Sequence, residues 1–197
     1  MYYIYDNINN YDKDKYDIFY NNLSNIDKYK YNNIVKDNNK KLFLLSRILL
    51  DRLTNKYYNT NYKDMVIKYN GYGKPLYKDF YFNISHSNDY GCAVISNNKI
   101  GIDIEKIREV DLNIINYFCT DKEISYILNS KDKYKSLFTI FCLKEAYFKM
   151  IGTGINNIKS IEFVIDDNII NCNKNNINIK LDYSIDNYVI AIIEEKD

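Results

Sequence analysis

Two carboxylates, Asp103 and Glu105, are the first residues whose types and spacing could do chemistry. They stand in residues 101–105, a segment with the pattern of a β-strand, in which successive side chains point to opposite faces. Asp103 and Glu105 therefore share one face, about 7 Å apart at the backbone, while Ile102 and Ile104 can face a core. Because neighbouring carboxylates repel each other, this pair favours a shared cation.

A third carboxylate and a lysine follow about forty residues later, at Glu145 and Lys149. Residues 130–151 have a helical pattern, and Gly152 is a natural stop for that helix. Residues four apart share one helical face, so Glu145 and Lys149 project together and could meet the Asp103–Glu105 pair. An ordinary surface ion pair, contributing about 0.3–0.5 kcal/mol, is the alternative for these two residues taken alone.

Two weaker motifs precede the carboxylates. Lys74 stands in Gly73-Lys74-Pro75, which predicts a turn; the proline excludes a phosphate-binding loop that leads into a helix. Ser85 and His86 end a strand predicted at residues 80–87. In a strand they could not point at one centre, but in a loop both could donate hydrogen bonds to a phosphate. A hydrogen-bonded structural imidazole is the plainer interpretation of His86, the only histidine.

The elements that would position these residues have an α+β pattern. An amphipathic helix at residues 40–53 precedes strands, and the helix at 130–151 precedes three more, at 160–165, 177–181 and 188–193. Thr120 and Glu123 have capping-box spacing at the start of a short helix. Asn97-Asn98 predicts a hairpin turn between the strand at 91–96 and the strand that carries Asp103.

Composition narrows the class of protein. The chain has 197 residues, 46% of them hydrophobic, and a formal net charge of +1, which argues against a nucleic-acid binder. No secretory signal and no membrane-spanning apolar run is visible. The spacing of the four cysteines argues against a zinc site and fits reduced core thiols, so we expect a cytoplasmic protein that does not bind membranes.

The order and spacing of four blocks resemble the 4′-phosphopantetheinyl transferases, in particular the larger, monomeric type that activates peptide synthetases such as surfactin synthetase. The resemblance runs from about residue 40 to residue 165, and the probability that all four blocks agree by chance is very low. In order, the blocks are Gly73-Lys74-Pro75, Phe82-Asn83-Ile84-Ser85-His86-Ser87, Gly101-Ile102-Asp103-Ile104-Glu105-Lys106 and Lys144-Glu145-Ala146-Tyr147-Phe148-Lys149.

This resemblance implies two similar α+β halves with pseudo-twofold symmetry and an active site in the cleft between them. The first half, residues 1–98, would carry elements that bind the nucleotide of coenzyme A. The second half, residues 99–197, would carry the metal and catalytic elements. The family moves 4′-phosphopantetheine from coenzyme A to a serine of an apo acyl or peptidyl carrier protein and releases 3′,5′-ADP.

By the same resemblance, Asp103, Glu105 and Glu145 would hold Mg²⁺, with Mn²⁺ as the alternative ion. Glu145 and Lys149 are the predicted catalytic residues, with Glu145 as the base. The predicted coenzyme A ligands are Lys74, Ser85, His86, Lys144 and Lys149. Lys40, Lys41 or Arg47 could add to the nucleotide pocket, but none of them aligns to a single family position.

Two departures from the family pattern bear on these expectations. Phe141 stands where the family often has Trp, so an aromatic residue is retained. The first 35 residues match weakly, and Lys28 and Lys30 are the candidate cations there. One competing hypothesis is a non-catalytic module that binds coenzyme A or a carrier protein; it would be free to lose the three carboxylates and Lys149, which are all present. The other, a different Mg²⁺-dependent phosphotransferase or hydrolase, explains the carboxylates but not the Gly-Lys-Pro and Ser-His blocks.

Overall fold

The structure, a computed structural model, describes residues 1–166 and 169–196. By its internal contacts the chain divides into two compact units, Met1–Asn97 and Asn98–Asp197. Within the described ranges, none of the helices has both the length and the apolar character needed to cross a membrane.

The first unit packs a long helix on a three-stranded antiparallel sheet. The elements are β1 (Tyr2–Asn7), α1 (Lys13–Asn21), α2 (Asn25–Asn32), α3 (Asp37–Tyr58), β2 (Lys68–Tyr69), β3 (Pro75–Leu76), β4 (Tyr81–Ser87) and β5 (Tyr90–Ser96). The sheet has the order β1-β5-β4, and the long helix α3 packs on it. β2 and β3 form a separate two-stranded hairpin.

The leucine pattern explains α3. Leu42, Leu45, Leu49 and Leu53 recur every three to four residues and are all buried in the core of this unit. The prediction of an amphipathic helix is thus confirmed, although the helix extends beyond residues 40–53 at both ends. It ends at Asn59, whose φ of 48° is the left-handed conformation that closes many helices.

The second unit repeats this plan of a long helix on a three-stranded antiparallel sheet. The elements are β6 (Ile100–Lys106), α4 (Ile115–Phe118), α5 (Asp121–Asn129), α6 (Lys133–Ile151), β7 (Phe163–Asp166), β8 (Ile169–Cys172), β9 (Ile177–Asp182) and β10 (Tyr188–Glu195). The sheet has the order β6-β10-β9, and α6 packs on β6 and β10. β7 and β8 form a two-stranded hairpin.

The ends of the helices in this unit follow local sequence rules. Thr120 and Glu123 form the predicted capping box at the start of α5. Gly152 ends α6 in the left-handed region, with φ of 74°, and its N–H donates to Phe148 O at 2.8 Å. α6 begins at Lys133 rather than at residue 130, because the Asp132 side chain caps it by accepting from Lys135 N at 2.9 Å.

The predicted hairpin at Asn97-Asn98 is wrong. β5 pairs with β1 and β4, whereas β6 pairs with β10, so the two strands lie in different sheets. The tail strands are confirmed with shifted ends, and β8 is an additional strand.

The fold is α+β, as expected, since each unit combines helices with antiparallel strands. The four cysteines are free thiols, and three of them are buried. The pseudo-twofold relation of the halves and the functional division at residues 98 and 99 remain predictions.

Candidate functional site

The face of β6 that carries the carboxylates is turned toward α6. In the register with β10, Asp103 lies opposite Ala191 and Glu105 opposite Val189. Paired residues share one face of a sheet, and both β10 residues belong to the core that includes the buried residues of α6. The sequence suggested that the isoleucines alone would face a core. In the structure the Asp103 side chain is itself covered and only 4% exposed.

Gly101 brings α6 close to this strand. A Cβ added at Gly101 would overlap Ala146 O and would lie 2.5 Å from Met150 N. Only glycine therefore allows the backbone of α6 to come so near to β6 at this point. Asp103, two residues along the same face, consequently lies within reach of the side chains on the last turns of α6.

Lys149 makes that contact. Its Nζ lies 2.6 Å from Asp103 Oδ1, and 29% of the Lys149 side chain is exposed. Lys149 is therefore more than one member of an ion pair on the surface of α6, because it also joins α6 to β6. The ammonium group neutralises a carboxylate that is almost wholly removed from solvent.

Glu145 lies in the same electrostatic environment. Burial raises the pKa of the Glu145 carboxyl, the negative charge of Asp103 raises it further, and Lys149 partly offsets both effects. A carboxylate with a raised pKa is a better proton acceptor near neutral pH than an exposed one.

Glu105 completes the acidic group. Its Oε2 lies 4.0 Å from Arg108 Nη1, and 22% of its side chain is exposed. Burial raises the pKa of the Cys142 thiol well above its ordinary value, and the charges of Asp103 and Glu105 add to that effect. The negative charges of Asp103 and Glu105 therefore both affect Cys142, which lies on α6 about one turn before Glu145.

The donor chemistry of this acidic group fits a hard divalent cation. Asp103, Glu105 and Glu145 offer carboxylate oxygens, the ligands that Mg²⁺ and Mn²⁺ take, and the mutual repulsion of Asp103 and Glu145 would be relieved by a cation. Across the part of the chain that the structure describes, no three His, Cys, Asp or Glu side chains already stand together as a metal site. With Lys149 against Asp103, the positive charge at this position is supplied by the chain itself.

The placement of Lys144 contradicts its prediction as a coenzyme A ligand. The side chain has no exposed surface, and its Nζ lies 2.8 Å from Glu123 Oε2. It also donates to Ile161 O at 2.6 Å and to Ile158 O at 3.2 Å. An ammonium group has three N–H donors, so Lys144 is fully engaged inside the second unit and cannot reach a ligand without leaving these partners.

In the first unit, Ser85 and His86 both lie within the regular strand β4, where Ser85 pairs with Cys92 and His86 with Gly91. The strand predicted at residues 80–87 is therefore confirmed, and the alternative of a loop at its end does not hold. Strand alternation sends the two side chains to opposite faces, with Ser85 buried and His86 exposed. One phosphate cannot receive both side chains in this arrangement, so each contact with coenzyme A is a separate prediction.

Lys74 lies at the end of the turn that joins β2 to β3. The Asn70 side chain accepts hydrogen bonds from Tyr72 N at 3.0 Å and from Lys74 N at 2.9 Å, and Gly73 has a φ of 82°. The predicted turn is confirmed. The hydrogen bonds of the turn hold the main chain of Lys74 in place. The residue is half-buried.

A buried polar cluster in the first unit was not predicted from the sequence. The Asp27 side chain accepts hydrogen bonds from Arg47 Nη2 at 3.3 Å, Tyr62 Oη at 2.6 Å and Tyr69 Oη at 3.1 Å. Arg47, considered above as a cation for a nucleotide, is instead 8% exposed and paired inside the unit. Lys30 lies 3.5 Å from the centre of the Tyr69 ring, which places one candidate cation beside the hairpin that carries Lys74.

Comparison with known families covers nearly the whole chain. A model of the 4′-phosphopantetheinyl transferase superfamily matches residues 99–193, and a model of the N-terminal part of 4′-phosphopantetheinyl transferases matches residues 10–98. The chain belongs to the 4′-phosphopantetheinyl transferase superfamily. Asp103, Glu105, Glu145 and Lys149 all lie within the first of these matches.

Two curated proteins that are similar to this chain carry the same family name. The 4′-phosphopantetheinyl transferase gsp of Aneurinibacillus migulanus is 34% identical over 128 residues, which cover 64% of this chain and 54% of the relative. The 4′-phosphopantetheinyl transferase Sfp of Bacillus subtilis strain 168 is 31% identical over 119 residues, which cover 57% and 53%. The chain thus spans about half the length of the curated relatives it matches.

A solved structure is also similar to this transferase-superfamily chain. The crystal structure of Thermotoga maritima holo-[acyl-carrier-protein] synthase matches 50% of this chain and 64% of its own, with a TM-score of 0.44 and 23% sequence identity.

Proposed function

We propose that this chain transfers 4′-phosphopantetheine from coenzyme A to a serine of an apo acyl or peptidyl carrier protein and releases 3′,5′-ADP. Membership of the superfamily supports the class of reaction. The observation that carries the proposal is the meeting of Asp103, Glu145 and Lys149 between β6 and α6, where Lys149 Nζ lies 2.6 Å from Asp103 Oδ1 and Glu145 has a raised pKa.

Charge neutralisation is the first requirement of such a transfer, since the pyrophosphate of coenzyme A gathers negative charge as its bond breaks. Asp103, Glu105 and Glu145 would hold Mg²⁺ or Mn²⁺. When bound, that ion neutralises pyrophosphate oxygens and stabilises charge on the leaving group. Lys149 would add a second positive charge, because its side chain reaches this position from α6 and is partly exposed.

Proton transfer is the second requirement. The Oγ atom of the carrier serine forms a bond to the β-phosphorus while the bond from that phosphorus to 3′,5′-ADP breaks, and the hydroxyl proton must leave. Glu145 is the proposed acceptor, directly or through a water molecule. Its burial and the neighbouring Asp103 raise its pKa, which strengthens it as a base.

Coenzyme A recognition falls to the first half of the chain in this proposal. Lys74, Ser85 and His86 would contact the nucleotide, including its 3′-phosphate, while residues 99–197 carry the metal and catalytic groups. The protein partner is an apo carrier protein, and we propose that the transferase acts in the cytoplasm as a monomer.

Intact-mass analysis tests this function. Apo carrier proteins from fatty-acid, polyketide and peptide synthetases are incubated with the chain, coenzyme A and Mg²⁺, with EDTA in a parallel sample. The proposal predicts a gain of one phosphopantetheine on at least one carrier, and its loss with EDTA. No gain on any carrier, with coenzyme A still bound by the chain, would favour the non-catalytic binding module instead.

A further inference from the structure

The second unit contains a buried ion pair outside the acidic group described above. Lys144 Nζ lies 2.8 Å from Glu123 Oε2, and neither side chain has any exposed surface. Lys144 stands on α6 between two buried apolar neighbours one turn away on either side, Ile140 and Phe148. A charge in such surroundings persists only when it is paired and hydrogen-bonded.

The hydrogen bonds of Lys144 extend beyond Glu123. It donates to Ile161 O at 2.6 Å and to Ile158 O at 3.2 Å, both in the segment between α6 and β7. The three donors of the ammonium group thus tie α6 to α5 and to the chain that leads into β7.

Glu123 is equally engaged. Its Oε1 accepts from Phe163 N at 2.9 Å, and its Oε2 accepts from Thr120 N at 2.7 Å as well as from Lys144. A capping-box glutamate normally serves only its own helix. Here the same carboxylate joins the first turn of α5, the start of β7 and the middle of α6.

The geometry of this network bears on the residue that follows Lys144. An α-helix has 3.6 residues per turn, so consecutive side chains project about 100° apart. An anchor at Lys144 therefore fixes the rotation of α6 at Glu145. On the strand side, Gly101 sets how closely α6 approaches β6, because the helix backbone at Ala146 and Met150 fills the space of a Cβ. The contacts of Lys144 thus fix the rotation of α6, and the contact at Gly101 fixes the distance between α6 and β6.

We propose that Lys144 is a positioning residue of the transfer reaction. Its buried pair with Glu123 holds α6 in the rotation that directs Glu145 and Lys149 toward Asp103. Buried ion pairs often contribute little to stability compared with apolar replacements, whereas their directed hydrogen bonds can specify one arrangement. This proposal rests on the proposed transferase function.

The test compares Lys144→Met and the double variant Lys144→Met/Glu123→Gln with wild type in the carrier-protein assay, with kcat, KM for coenzyme A and thermal stability measured for each. Lys144→Met leaves the Glu123 charge buried without its cation, so thermal stability falls. In the double variant that charge is gone, and the glutamine oxygen can still accept from Thr120 N in the capping box, so stability recovers in part, although Phe163 N loses its acceptor. If Lys144→Met does not fold, the double variant is compared with wild type instead.

A positioning role predicts that kcat falls by roughly 10²-fold in the double variant, since small misplacements of catalytic groups have effects of that size. KM for coenzyme A should stay within about twofold. Ile127→Ala is the matched control: Ile127 is fully buried on α5, so this variant loses stability by forming a cavity while the polar network remains, and it should retain its kcat.

Two results would overturn the proposal. Recovery of kcat together with stability in the double variant would mean that the pair acts on folding alone. A raised KM for coenzyme A at unchanged kcat would indicate that Lys144 binds coenzyme A. Failure of the proposed function is distinguishable from both, because wild type would then modify no carrier.

Discussion

Lys149 Nζ and Asp103 Oδ1 lie 2.6 Å apart, joining the last turns of α6 to the middle of β6. The proposed cation and the Lys149 ammonium group would therefore serve the same carboxylate. In the absence of a cation, Lys149 supplies the charge that Asp103 needs. With one bound, the proposed mechanism has Lys149 turn toward the pyrophosphate of coenzyme A.

This relationship predicts a change in the response of stability to metal. Lys149→Met should lower the free energy of unfolding in EDTA by about 2 kcal/mol, because a largely buried carboxylate loses its charged partner. Mg²⁺ should then raise the melting temperature of the variant more than that of wild type. Melting of both proteins by circular dichroism, without coenzyme A, measures this. An Mg²⁺ shift no larger than that of wild type would contradict the competition for Asp103.

The charge environment of Glu145 makes a second prediction. In metal-free protein its pKa should lie above the ordinary value of 4.5, through burial and the charge of Asp103. Carboxyl NMR titration should show a lower Glu145 pKa in Asp103→Asn and a higher one in Lys149→Met. Because the base must be ionised, transfer activity should fall as pH drops through the pKa of Glu145 in the assembled enzyme. Equal Glu145 pKa values in all three proteins would refute the coupling.

The close approach at Gly101 makes a third prediction. Gly101→Ala should destabilise the fold by about 1–3 kcal/mol, since the added Cβ overlaps Ala146 O and α6 must move away from β6. Transfer activity should fall as well, because Asp103 would separate from Glu145 and Lys149. Gly71→Ala is the control, as a Cβ there meets no atom within 4 Å. Urea unfolding of both variants gives the comparison, and similar free energies would show that α6 does not depend on this contact.

Asp27 in the first unit predicts how stability depends on pH. Burial alone would raise the pKa of Asp27, but Arg47 and hydrogen bonds from Tyr62 and Tyr69 outweigh it and hold the pKa below its ordinary value of 3.8. A depressed folded-state pKa contributes stability that is present above the unfolded-state value and is lost as pH falls through the folded-state value. Unfolding of wild type should therefore become easier as pH drops below about 4.

The matched variant for this prediction is Asp27→Asn. It should be less stable than wild type at pH 7, because Arg47 loses its charged partner. Its stability should also change less between pH 5 and pH 3, measured by urea unfolding. An identical pH slope in the two proteins would assign the acid sensitivity to other carboxylates.

Local patterns were enough to predict much of the fold. The leucine repeat of α3, the Thr120–Glu123 capping box and the Gly152 stop all act over a few residues, so the sequence displays them directly. Asn97-Asn98 was misinterpreted for the same reason. Its composition suits a hairpin turn, but the pairing of β6 with β10 depends on residues about ninety positions further along the chain.

The candidate site was predicted more completely in β6 than in α6. Strand alternation placed Asp103 and Glu105 on one face, whereas Lys144, a lysine next to Glu145, was interpreted as a ligand. Its partners Glu123 and Ile161 are distant in sequence, so burial could not be inferred from spacing alone. One signal was present: Lys144 lies four residues from Ile140 and from Phe148 on an apolar stripe, where an exposed lysine is not expected.

The most direct test of the proposed site is intact-mass measurement of carrier-protein modification by wild type, Asp103→Asn and Glu145→Gln. Glu195→Gln serves as control, since Glu195 belongs to a surface pair with Lys99 at the other end of β6. Far-ultraviolet circular dichroism establishes that each variant is folded. Wild type and Glu195→Gln should modify the carrier protein fully, whereas the two site variants should lose transfer. Transfer at the wild-type rate by folded Asp103→Asn or Glu145→Gln would contradict the assignment of the chemistry to the group between β6 and α6.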